Sequence, residues 1–231
     1  YISLAPSHGC AVDTNSEIHC WGSNAGGQVD PFSLDEPGPF EPQEVALGAN
    51  RKAVKVCTGE RSSCALTSRG EIFCWGTNAF ALFGPDDAGV EAGARSGVRE
   101  VSLGNEAPTF FHDLACGPTH RCALGEDGSA HCWGENSFDV LGRPPVGGED
   151  AGAYNRILDA NGNSLVFEQI FAGVSGTCGV TPRGHLHCWG KDYLSAGRAP
   201  FNTPLSPNNR PFWLGEARAS SLEDAERIAS V

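Results

Sequence analysis

"CALTSRGEIFCWG", residues 64–76, holds two cysteines, a glycine and a tryptophan at fixed separations. The pattern returns as "CAVDTNSEIHCWG" at 10–22, "CALGEDGSAHCWG" at 122–134 and "CGVTPRGHLHCWG" at 178–190. A unit used four times is an architectural part before it is a site.

The unit reads as a β-hairpin. "SCALTS" and "EIFCWG" are short, rich in β-formers and aromatics, and flank turn residues. Gly70 suits a three-residue loop, Ser68-Arg69-Gly70, whose last position is left-handed. Gly128 and Gly184 hold the same place. Ser16 replaces them in the first unit, where the neighbouring Asn15 is expected to take the strain. That loop sets Leu66 against Ile72, Ala65 against Phe73 and Cys64 against Cys74. The cysteines then fall on a non-hydrogen-bonded pair, where Cα atoms approach to about 4.5 Å. A disulfide requires roughly 4.4–6.8 Å. The spacing predicts four cross-strand bonds: Cys10–Cys20, Cys64–Cys74, Cys122–Cys132 and Cys178–Cys188. Each closes a short loop and contributes at most ~3 kcal/mol.

Aligned on Cys-Trp-Gly, the second cysteines fall at 20, 74, 132 and 188. "VALG" at 45–48, "VSLG" at 101–104, "ILDA" at 157–160 and "WLGE" at 213–216 step by 56 residues each. Two landmarks with one period define an internal repeat, and short strands at this period indicate propeller blades. The fold class is all-β, a β-propeller of four repeats of about 56 residues: 1–53, 54–111, 112–167 and 168–225, with 226–231 beginning a further one. "SSLEDAERIAS" at 220–230 has helical composition, but "ERIASV" at 226–231 copies "EQIFAG" at 168–173 and reads as an opening strand. Trp21, Trp75, Trp133 and Trp189 repeat in register with the scaffold and are core residues.

Zinc is the rival reading of the cysteines, since His19, His131 and His187 precede the second of each pair. Adjacent strand residues point to opposite faces, so a His-Cys neighbour pair cannot easily share one ion. Phe73 fills the same place in the second unit. No four-ligand tetrahedral cluster is evident, and neither a metal nor a cofactor is expected. Cys57 and Cys116 precede their hairpins at nearly equivalent places, six or seven residues before the next cysteine. They either bond to each other between neighbouring blades or stay as buried thiols. Even cysteine number and regular pairing indicate an oxidising compartment: secreted, periplasmic or cell surface.

Composition narrows the function. Of 231 residues, 28 are Asp or Glu against 16 Lys or Arg, a formal net charge of −12. The basic residues are scattered, which argues against nucleic acid as a partner. No apolar run approaches the ~18 residues of a membrane span, so membrane insertion is not expected. "YISLAPSHGC" has no basic region ahead of an apolar stretch, and the sequence contains no methionine. Those features read as a processed product or a fragment.

"GPTHRCALGEDGSAHCWGEN" at 117–136 and "CWGSNAGGQ" at 20–28 resemble the repeats of the regulator of chromosome condensation family. The resemblance covers essentially the whole chain. It implies a propeller of four-stranded blades, usually seven. His8 and His120 keep the family histidine, whereas Ser62 and Gly176 replace it. Paired cysteines are not general in the family and are similar to secreted bacterial members. Ile228 fills the slot of Ile2, so the chain is expected to stop inside a fifth repeat of a longer ring.

No P-loop, H-E-x-x-H or G-x-S-x-G pattern is present, and no catalytic residue is assigned. "DANGNSLVFE" at 159–168 reads as an Asn161-Gly162 hairpin turn rather than a calcium loop. The variable material follows each tryptophan, at 23–44, 77–100, 135–156 and 191–211. It carries aromatics expected to be exposed, Phe32, Phe40, Phe80, Phe83, Phe138, Tyr154, Tyr193 and Phe201, of which Phe40, Phe80, Phe138 and Tyr193 are the candidate binding-loop aromatics. Rigid blades presenting varied loops are a binding design. The leading expectation is a non-catalytic extracellular or cell-surface scaffold for a protein partner. The alternatives are an inhibitor of a secreted enzyme, a carbohydrate-binding module, and a guanine nucleotide exchange factor-like regulator. Self-assembly stays open.

Overall fold

The computed structural model describes residues 1–33, 38, 40–84, 95–104, 107–136, 140–142, 155–157, 165–190 and 212–216. Four antiparallel sheets follow one another along the chain, each of four consecutive strands. The first blade is β1 (Ile2–Leu4), β2 (His8–Val12), β3 (Ile18–Gly22) and β4 (Phe40–Val45). The second is β5 (Ala53–Thr58), β6 (Ser62–Thr67), β7 (Ile72–Thr77) and β8 (Arg95–Glu100). The third is β9 (Phe111–Cys116), β10 (His120–Gly125), β11 (Ala130–Gly134) and β12 (Asn155–Arg156). The fourth is β13 (Gln169–Ala172), β14 (Gly176–Val180), β15 (His185–Gly190) and β16 (Phe212–Glu216). Strands β5 and β9 begin at Ala53 and Phe111, one residue ahead of the repeat boundaries read from the sequence. The segment at 220–231 and the Asn161-Gly162 turn lie outside the described residues.

The quoted hairpin sets the geometry of every blade. Thr67 N–H donates to Glu71 O at 2.9 Å and Gly70 N–H to Thr67 O at 3.0 Å, with Gly70 at φ 74°. Leu66 then faces Ile72, Ala65 faces Phe73 and Cys64 faces Cys74. Gly128 and Gly184 repeat the left-handed turn. In the first blade Ser16 itself takes the positive φ, 68°, and Asn15 does not. Asp13 Oδ1 accepts the N–H groups of Asn15 and Glu17, both at 2.9 Å, and holds that loop closed without a glycine.

The first strand of each blade packs on the first strand of the next, β1 on β5, β5 on β9 and β9 on β13. These strands therefore line the inner edge, and the fourth strands lie outside. Apolar clusters fill the junctions: Val29, Val56, Ala65 and Trp75 between blades one and two, and Leu66, Phe83, Leu114 and Trp133 between two and three. Leu124, Leu141, Ile170 and Trp189 fill the third junction. Among the described residues three of the four buried apolar clusters are blade junctions, and the fourth, Val180, Leu186 and Cys188, lies within blade four.

Candidate functional site

The hairpin cysteines are joined as Cys10–Cys20, Cys64–Cys74, Cys122–Cys132 and Cys178–Cys188, each with Cα atoms 4.1 Å apart. Cys57 and Cys116 are bonded to each other across the second junction, Cα to Cα 5.5 Å, and none of the ten cysteines is free. Cys57 stands opposite Cys64, whereas Cys116 stands opposite Arg121, one register step further along its strand. That step matters because successive strand residues point to opposite faces. Two cysteines at identical blade positions would face the same way and never meet; offset by one, they converge.

The same slot recurs with other chemistry. The residues opposite the first hairpin cysteine are Ser3, Cys57 and Ala115, and those one step on in the next blade are Thr58, Cys116 and Ala172. Ser3 Oγ and Thr58 Oγ1 share a hydrogen bond of 2.9 Å at the first junction. At the third, Ala115 and Ala172 lie in one apolar cluster. Hydrogen bond, disulfide and alanine contact are thus three solutions to one packing problem. Lys55 and Asp113, also on innermost strands, add an ion pair of 2.6 Å, and Asp113 Oδ2 accepts Ile170 N–H at 3.1 Å.

Three of the hairpin tryptophans reach back to the preceding blade. Trp75, Trp133 and Trp189 donate Nε1–H to the carbonyls of Gln28, Leu82 and Val140, at 2.9, 2.9 and 2.7 Å. All three are buried. Trp21 is only half-buried, on the face of blade one turned away from blade two. Ile2 and Leu4 on that face are 62% and 70% exposed, although Val56 and Leu114, which hold the place of Ile2 in blades two and three, are fully covered.

The accepting carbonyls belong to a conserved-geometry stem within the chain. Asn24, Asn78 and Asn136 each stand three residues after the tryptophan, and their Oδ1 atoms accept the N–H of Val29, Phe83 and Leu141. Those three side chains are fully buried. Phe83 is therefore core and not an exposed loop aromatic, because it fills the column of Val29 and Leu141. Beyond the stem of blade one, Asp30 Oδ1 accepts the N–H groups of Phe32 and Ser33, and Phe32 stands 69% exposed. Of the aromatics expected in binding loops, Phe40 opens strand β4 opposite Gly22, and Phe80 lies in a 3-10 turn, Ala79–Ala81. Phe138 and Tyr193 lie outside the described residues.

Two histidines complete the junctions. His8 Nε2 meets Ser63 Oγ at 3.0 Å and His120 Nε2 meets Thr177 Oγ1 at 2.9 Å. Both hydroxyls give their own proton to a carbonyl, Gln28 O and Val140 O. The hydroxyl oxygens therefore accept, and each imidazole carries its proton on Nε2. Both Nδ1 atoms are buried without a partner among the described residues. Burial, and then the Arg121 cation, push His8 down to about 4 and His120 down to about 3. Both are neutral spacers at physiological pH.

The second junction breaks the pattern. Ser62 takes the histidine place and Arg121 takes the hydroxyl place. Arg121 is fully buried, donating to Gly117 O, His120 O, Ser62 Oγ and Cys64 Sγ at 2.6, 2.8, 2.5 and 3.4 Å. A Cβ on Gly59 would collide with the guanidinium, so that glycine makes its room. The sequence signal was available: a charged residue in a column otherwise holding Gly9, Ser63 and Thr177.

The other histidines pack or bond. His131 Nε2 meets Ser129 Oγ at 2.6 Å, and His187 lies edge-on to Phe167. Asp13, Glu17 and His19 group on the first turn, where Asp13 is occupied by the turn's own backbone donors. Among the described residues no helix is long and apolar enough to cross a membrane.

The family model described as "Regulator of chromosome condensation (RCC1) repeat" matches residues 53–81 and 111–139. E3 ubiquitin-protein ligase HERC2 of Homo sapiens is 29% identical over 196 residues, 82% of this chain and 4% of that protein. Ultraviolet-B receptor UVR8 of Arabidopsis thaliana is 26% identical over 189 residues, 82% of this chain and 40% of that protein. Human WBSCR16 superposes with a TM-score of 0.73 at 20% identity, covering 93% of this chain and 52% of its own. Prp20p from Saccharomyces cerevisiae gives 0.72 at 20%, covering 93% and 49%. The chain thus spans about half of those solved structures and less than half of those two relatives. At this identity the solved structures establish the fold.

Proposed function

We propose that this β-propeller of regulator of chromosome condensation repeats is a non-catalytic scaffold, secreted, periplasmic or held at a cell surface, that binds a protein partner through the loops after each tryptophan. The observation that carries the reading is the division of those loops. Their stems are pinned by Asn24, Asn78 and Asn136 and by the next blade's tryptophan, whereas what lies beyond does not repeat. Phe32, held out on the Asp30 turn, is the exposed anchor of the first. Five disulfides that leave no free cysteine support an oxidising compartment. The four repeats, 1–53, 54–111, 112–167 and 168–225, serve as blades of a larger ring, because Ile2, Leu4 and Trp21 form a junction face that blade one leaves uncovered.

Similar propellers support a protein partner. The Prp20p structure is accompanied by binding to Gsp1p and histones, and yeast RCC1 (Prp20) has been solved with Kap60 bound. Ligase activity stays with HERC2, of which this chain matches 4%.

The test is cross-linked capture with wild-type protein and the Phe32→Ser variant, from extracellular and cytosolic fractions of the source, with a glycan array in parallel. Specific capture of an extracellular protein, weakened about tenfold or more by Phe32→Ser at unchanged melting temperature, is expected. Glycan binding without protein capture, or capture confined to the cytosolic fraction, overturns the reading.

A further inference from the structure

The three hairpin disulfides that face a following blade offer an internal comparison. The first sulfur of each is approached by one residue of the next blade: Cys10 by Ser63 at 3.6 Å, Cys64 by Arg121 at 3.4 Å and Cys122 by Thr177 at 4.0 Å. Two of these neighbours are neutral hydroxyls and the third is a cation. No carboxylate pairs with Arg121 among the described residues, and its other donors go to neutral oxygens. A buried cation without a counter-ion is costly, and burial lowers this one only to about 9, so it stays charged at neutral pH.

We infer that Cys64–Cys74 is the most readily reduced of the hairpin disulfides, with Arg121 the standing counter-ion of the Cys64 thiolate; both cysteines are fully buried, so a small dithiol reaches the bond when the junction opens. In the oxidised protein Cys64 Sγ is a weak, neutral acceptor. Reduction gives it a full negative charge beside a guanidinium that already points at it. The same contact is worth far more afterwards than before, so it favours the reduced state. The hydroxyls of Ser63 and Thr177 offer the other bonds no comparable gain.

The exchange balances as follows. A dithiol gives two electrons to the Cys64–Cys74 bond and closes to its own cyclic disulfide. One of its two protons goes to Cys74, which becomes a thiol. Cys64 remains a thiolate against Arg121, and the second proton is released to solvent. For the other hairpins both protons stay on sulfur below the usual thiol range. Their equilibrium with a dithiol is therefore independent of pH, whereas that of Cys64–Cys74 rises with it.

The experiment equilibrates the full chain in graded mixtures of reduced and oxidised dithiothreitol at pH 6.0, 6.5, 7.0 and 7.5. Acid quenching, alkylation and peptide mass spectrometry then read each bond separately. Cys64–Cys74 is expected to have an equilibrium constant at least about tenfold above the other three hairpins at pH 7, the margin of one charge-assisted hydrogen bond. That constant should grow roughly tenfold per pH unit, the signature of one released proton, while the others stay flat. Arg121→Thr, which copies the fourth blade, brings Cys64–Cys74 level with them and removes its slope. The wild-type comparison stands by itself if that variant does not fold. Coincident constants, a flat Cys64–Cys74 constant, or one cooperative step reducing every bond together would each overturn the inference.

Discussion

Ser16 shows how a single residue carries strain that its three counterparts avoid. It holds φ 68° where Gly70, Gly128 and Gly184 hold 74°, 74° and 77°. A left-handed non-glycine residue costs roughly 1–2 kcal/mol, partly offset by the smaller entropy of its unfolded chain. Ser16→Gly should therefore stabilise the protein by about 0.5–1 kcal/mol. Urea unfolding reads this directly, and an unchanged or lowered midpoint contradicts it. The pattern of the repeat pointed to Ser16 as the exception but not to which residue would turn. Asp13 decides that, by accepting two backbone donors and fixing the turn around itself.

Strands explain what the sequence made legible and what it hid. The hairpins were legible because a nine-residue interval and a turn glycine determine register locally, and Cys64 indeed faces Cys74. The cysteine pair at 57 and 116 was not, because its pairing depends on the facing of two strands 59 residues apart. A one-residue offset reverses that facing. Phe83 was misread for a related reason: aromatic character in a variable segment suggested exposure, whereas its distance from Asn78 placed it in the buried column of Val29 and Leu141. The fourth strands, such as Arg95–Glu100, were hidden inside segments that read only as variable. At this scale the junction slot makes a prediction. Closing a loop of this length contributes roughly 4 kcal/mol in the chain-entropy account, against ~3 for a hairpin bond. Converting the second junction to the chemistry of the first, with Cys57→Ser and Cys116→Thr together, should restore about 1 kcal/mol as a hydrogen bond. The net loss expected from denaturant midpoints is about 3 kcal/mol. A loss below about 1 kcal/mol would mean that the bond does not constrain the unfolded chain.

The whole molecule inherits a pH dependence from its junctions. In the unfolded chain His8 and His120 take up protons as pH falls through about 6.5. In the folded chain they resist, down to about 4 and about 3 respectively, chiefly through burial and secondly through Arg121. The unfolded state therefore binds more protons throughout that window, and stability falls as pH drops. It is fully present above about 6.5 and declines steadily toward pH 4, by a few kcal/mol from the pair. Melting temperatures measured from pH 7.5 to pH 4 should show this slope. His120→Gln, which keeps a donor for Thr177 and cannot protonate, should roughly halve it, leaving the share of His8. An acid slope equally steep in the variant would place its origin elsewhere.

Assembled from such junctions, the molecule is a stapled frame: cysteines close every blade, and tryptophans and one disulfide tie blades together. That account rests on the cysteines being oxidised in the protein as its source makes it. The most direct measurement is alkylation of the native-source protein without reduction, followed by intact mass and peptide mapping. Ten unmodified cysteines paired as four hairpin bonds and Cys57–Cys116 are predicted. Alkylated hairpin cysteines would contradict the stapled frame and the extracellular scaffold built on it.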